Sequence, residues 1–131
     1  MLFLVVFFSV IFFINDLSNS LENPLYLFAD DSTLCRTICH PSDQQAAASS
    51  LSADLDKITS WSNTWNMSLN PGKPHTFTMS LRKDCLEPPS SIYFLNNPLE
   101  EVLSFKLLGL TICHDLSWES HISKLASKAS R

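Results

Sequence analysis

Two adjacent carboxylates, Asp30-Asp31, stand between two short apolar runs, Leu25-Tyr26-Leu27-Phe28-Ala29 and Ser32-Thr33-Leu34-Cys35-Arg36-Thr37-Ile38. Strand-type residues on either side of a two-acid corner predict a tight β-hairpin. Paired like charges repel, and neither is easily desolvated without a cation. A divalent metal neutralises both, and magnesium is bound through one or two carboxylates plus substrate phosphates. Two such ions about 3.5–4 Å apart can clamp the attacking and leaving oxygens of an in-line phosphoryl displacement. The same dipeptide also reads as a solvated turn, because Asp is a common turn residue. From these residues alone, both readings stay open.

Other reactive side chains form weaker patterns. Cys35, Cys39 and His40, with Cys113 and His114, invite a zinc reading, but their spacings miss the usual paired-ligand patterns. They read as idle thiols in a reducing compartment. His75 and His121 have no partner visible in the sequence, and Asn66-Met67-Ser68 is a formal glycosylation sequon at an expected helix end.

The elements that must position these residues follow from periodicity. Ser42 with Gln45 three residues on predicts a capping box and a helix to about Met67. Ala47, Leu51, Leu55, Ile58 and Trp65 form its apolar face, with Asp54, Asp56 and Lys57 assigned to other faces. Asn70-Pro71-Gly72-Lys73-Pro74 is a turn cluster, after which Phe77, Met79 and Leu81 alternate with polar residues as in a half-buried strand. Ile92 to Leu95 and Phe105 to Ile112 read as two further strands, with Asn96-Asn97-Pro98 turning between them. Ser117 is placed as the cap of a final helix whose inward residues are Ile122, Leu125 and Ala129.

Composition bounds the function classes. The chain has 131 residues, two glycines, seven prolines and four cysteines, which fits one domain and excludes a disulfide scaffold. Net charge is −4, with seven acids and two bases up to Ser60 and six acids and seven bases after it. This excludes a simple basic nucleic-acid binder, and the slight positive excess of the second half gives an RNA-binding role little support. From Met1 to Ile14 only Ser9 is polar. That run is short for a bilayer span of about 20 residues. It matches a signal peptide in length, with Ser18 and Ser20 before Leu21 at cleavage spacing, but no Lys or Arg precedes it. Its third reading is a helix buried on all sides.

Phe13-Ile14-Asn15-Asp16-Leu17 followed by Leu27-Phe28-Ala29-Asp30-Asp31 closely resembles the reverse transcriptases of LINE-type, jockey-like non-LTR retrotransposons. The resemblance continues in order through Asp54-Leu55, Trp61-Ser62 and Trp65-Asn66-Met67, and then Leu69-Asn70-Pro71-Gly72-Lys73. It ends with Phe105-Lys106-Leu107-Leu108-Gly109-Leu110 and with Leu116-Ser117-Trp118 and His121-Ile122. It implies an α+β fold: an incomplete palm of helix, F-A-D-D hairpin, helix and further antiparallel strands over residues 1–112. A thumb-like helix follows over 113–131. The apolar run becomes the buried palm helix.

Residue by residue, the resemblance makes Asp30 and Asp31 catalytic metal ligands for Mg2+ and sets Lys73 near the incoming nucleotide. Phe105, Lys106, Leu107, Leu108 and Gly109 form the primer grip. The implied partners are an RNA template, a DNA primer and dNTP, in an intracellular setting without a membrane. The family also uses a third carboxylate from an earlier strand, a Gln-Gly template segment and a fingers region, none of which has a counterpart in residues 1–13. The chain is therefore expected to be inactive alone and poorly soluble. The rival expectation is a small secreted or membrane-anchored binding protein with Met1–Ile14 as its signal or anchor.

Overall fold

The apolar run forms a strand where a helix was expected. In the computed structural model, which describes residues 2–9, 17–28, 31–67, 69, 74–80 and 91–130, Leu2–Ser9 is strand β1. Uninterrupted apolar sequence suits both a buried helix and a strand covered on two faces, so periodicity cannot separate them. The Val and Phe content of Val5-Val6-Phe7-Phe8 favours the strand. Residues 10–16, with most of the Phe13–Leu17 motif, lie outside the described residues.

Strand β1 is the middle of a five-stranded sheet with β2 (Leu25–Phe28), β3 (Asp31–Ile38), β4 (His75–Ser80) and β7 (Glu100–Glu101), in the order β2-β3-β1-β4-β7. It pairs antiparallel with β3, from Leu2 opposite Ile38 to Ser9 opposite Asp31. On its other side Leu2 faces Ser80 and Phe7 faces His75. The hairpin expected around the acidic corner is present, with Phe28 opposite Asp31. Strand β7 joins β4 in parallel, a departure from the all-antiparallel expectation.

One face of the sheet carries helix α1 (Gln44–Thr64). Leu34 and Ile38 of β3 meet Ala47, Ala48, Leu51, Leu55 and Ile58 there, together with Leu17, Ile92 and Phe94. The helix starts later than the capping box implied. Pro41–Asp43 form a 3-10 turn, so Ser42 lies inside that turn, and its hydroxyl donates to Asp43 Oδ1 at 3.3 Å. Asp43 occupies the cap position without a side-chain cap bond. The C-terminus is well closed. Asn66 takes φ +52°, its N–H donates to the Asn63 carbonyl, and the Met67 N–H reaches the Ser62 carbonyl at 2.8 Å. This is a Schellman closure with Asn in the left-handed position. It turns Trp65 outward, to 60% exposure, whereas Trp61 packs half-buried on the core.

The segment expected as one strand from Phe105 to Ile112 is a hairpin, β8 (Ser104–Leu107) and β9 (Leu110–Cys113). Leu108 and Gly109 make the turn at φ +48° and +91°. Positive φ at both central residues matches strand twist, and glycine supplies it without steric cost. The preceding turn is displaced by one residue. Leu95 and Asn96 form it, joining β5 (Tyr93–Phe94) to β6 (Asn97–Pro98).

Helix α2 spans Glu119–Ala129 with Trp118 at its cap, and none of its residues is buried. Ser117 instead donates its N–H to Asp115 Oδ1 at 3.0 Å, closing a local turn ahead of the helix. Ile122 and Leu125, expected inward, are 60% and 54% exposed, and among the described residues α2 packs mainly on β9. The architecture is α+β. Among the described residues, no helix is long and apolar enough to cross a membrane.

Candidate functional site

Side chains alternate across a strand, so β3 divides its residues between two faces. Ser32, Leu34 and Ile38 are buried toward α1, while Asp31, Thr33 and Cys35 point to the opposite face. Register places Tyr26 beside Thr33 and Phe28 beside Asp31, so both aromatic rings share that opposite face. Tyr26 and Phe28 are more than half exposed.

The β8–β9 hairpin stands over this face. Phe105 meets the fully buried Phe77 edge-on, with ring centroids 4.6 Å apart. Between the two hairpins lies a groove of about 400 Å³. Tyr26, Phe28, Asp31 and Cys35 contribute one wall, and Phe105, Leu107 and Leu108 the other. Its walls are apolar, with the exposed Asp31 carboxylate at the hairpin tip. Burial pushes the Cys35 thiol up to about 11, so it is an inert wall residue at neutral pH.

The structure thus brings Asp31 together with Phe105, Leu107 and Leu108. It does not bring Lys106 and Gly109 to the same place, since both line a separate cavity against α2. Asp30 and Lys73 lie outside the described residues. Magnesium needs several oxygen ligands. Among the described residues, no group of three or more His, Cys, Asp or Glu side chains converges to hold a metal ion. Asp31 by itself therefore does not make up the two-metal site that the resemblance implies.

Sequence reasoning missed a second polar centre. Asp54, assigned to a face other than the apolar one, has a fully buried carboxylate. It accepts the Glu22 N–H at 3.0 Å, the Asn23 N–H at 2.8 Å and the Asn23 amide at 2.7 Å. Lys57 Nζ lies 3.0 Å away, and Arg36 donates to Asn23 Oδ1. Burial alone would raise the carboxyl, but the Glu22 N–H, the Lys57 ammonium and the two Asn23 donors outweigh it and hold it below the usual range. This clamp fastens α1 to the segment leading into β2, and so fixes where the acidic hairpin sits. A usable signal existed: position 54 falls on the stripe defined by 47, 51 and 58.

His121 also acquires a partner, accepting the Thr111 N–H on Nδ1 at 3.2 Å. Comparison with protein-family models, curated proteins and solved structures returns no match for this chain.

Proposed function

We propose that the chain is the palm segment and thumb start of an RNA-directed DNA polymerase of the LINE type, divided at residues 112 and 113. One observation carries the reading: the acidic hairpin and the Phe105–Leu108 segment, far apart in sequence, form the two walls of one groove. A polymerase needs that juxtaposition, because the primer terminus must be held beside the acids that serve phosphoryl transfer. Tyr26, Phe28 and Phe105 supply flat apolar surface for bases or sugars, and Asp31 marks the reacting end. In this reading the chain acts as part of a larger catalytic unit and does not synthesise DNA alone.

The rival reading is a small secreted or anchored binding protein. Cleavage before Leu21 would remove β1, the middle strand of the sheet, which favours the polymerase reading.

A photoreactive base at the 3′ end of a DNA primer annealed to RNA provides the test. Crosslinks should map to Tyr26–Phe28 and Phe105–Leu108 of the full chain. Crosslinking elsewhere, or none, overturns the proposal. Template-dependent synthesis by the chain alone with Mg2+ would overturn its second part.

A further inference from the structure

A second cavity, about 290 Å³, lies between the β8–β9 hairpin and α2. Lys106, Lys124, Lys128 and His121 line it together with Ser104 and Thr111, and no carboxylate does among the described residues. Half of the six lysines of a chain with net charge −4 thus surround one cavity. Their convergence is built by two elements. His121, Lys124 and Lys128 follow one another at spacings of three and four, a single stripe on α2. Lys106 comes from β8, opposite Thr111 on β9.

Such a cluster is unfavourable when empty. Like charges four apart on a helix repel. Among the described residues, the ion pairs belong to Lys57, and none of the three cavity lysines has an acidic partner. The ring of His121 adds a donor. Its Nδ1 accepts the Thr111 N–H, so in the neutral ring Nε2 carries the proton. A cavity presenting ammonium, imidazole N–H and hydroxyl donors is complementary to an oxyanion, and lysine serves phosphate as a point charge.

We propose that this cavity is a phosphate-binding site, made by Lys106, Lys124, Lys128 and His121. Its ligand is the phosphate group, presented either by a nucleic-acid backbone or as the free anion. The site needs neither Asp30-Asp31 nor a metal, so it stands or falls apart from the polymerase reading. It also explains why whole-segment charge is a poor guide here: acids elsewhere cancel the sum without entering the cavity.

Fluorescence anisotropy of a labelled single-stranded RNA with the full chain tests the proposal. Three phosphate contacts give a slope of log affinity against log salt of about −2. The Lys124→Gln/Lys128→Gln variant should bind about a hundredfold more weakly, the size of two charge-assisted contacts, with a slope flatter by about 1.4. The Lys124→Arg/Lys128→Arg variant should retain binding. Ala53→Glu/Asn63→Glu lowers net charge equally on exposed positions of α1 and should change affinity far less. Inorganic phosphate should compete beyond chloride of equal ionic strength. Phosphate binding without RNA binding assigns the site to the free anion. Binding of neither probe, or equal weakening by the glutamine and glutamate variants, overturns the proposal.

Discussion

The two faces of the five-stranded sheet solve opposite problems. Toward α1, Leu34 and Ile38 are sealed by a 21-residue helix, and the buried carboxylate on that helix, Asp54, is saturated with donors. On the other face, Tyr26 and Phe28 stay in contact with solvent beneath a two-stranded hairpin that leaves a groove. The difference teaches where stability and binding reside. The α1 face buries apolar area and sets the geometry, whereas the groove face keeps apolar area open at the tip of the same hairpin. Residues 31 to 38 serve both purposes because successive side chains of β3 belong to alternate faces.

This contrast can be broken by substitution. Leu55→Ala, at the centre of the α1 interface, should lose about 3 kcal/mol in urea unfolding by removing fully buried methyl groups. Asp54→Ala should cost about 2 kcal/mol, because the Glu22 and Asn23 N–H groups and Lys57 lose their acceptor. The same clamp sharpens the comparison through pH. The folded carboxyl of Asp54 lies below the ordinary value of 3.8, so its contribution is complete above 3.8 and is lost as pH falls through the lower folded value. Urea midpoints of wild type should therefore drop in that acid range more steeply than those of Asp54→Asn.

Smaller effects belong to the groove side. Gly109→Ala should cost about 1 kcal/mol from its φ of +91° alone, since an added Cβ meets nothing within 4 Å. Phe28→Ser should change stability by less than about 0.5 kcal/mol while weakening primer crosslinking. A loss as large as that of Leu55→Ala would abolish the distinction between the two faces.

Legibility in the sequence followed the same division. The α1 stripe of Ala47, Leu51, Leu55 and Ile58 was readable because a helix with one buried face leaves a 3.6-residue period. The acidic hairpin was readable because strand-type runs flanked its corner. Strand β1 was not, since a central strand carries no periodic mark that distinguishes it from a buried helix. The turn at Leu108-Gly109 was hidden because leucine rarely adopts positive φ, and Gly109 alone was too slight a signal. Of the candidate site, Asp31, Phe105, Leu107 and Leu108 converge, but the separation of Lys106 and Gly109 onto the α2 side depends on how the hairpin stands, which spacing does not encode.

The position of β1 has a temporal consequence. Its partners end at Ile38 and Ser80, so β1 is paired on both sides only after synthesis has passed residue 80. At 5–20 residues per second that interval is roughly 4–15 s, during which an apolar strand keeps at least one unpaired edge. Closing such long-range pairs is also intrinsically slow. Slowing translation before residue 80 should therefore lower yield in cells without altering the finished fold.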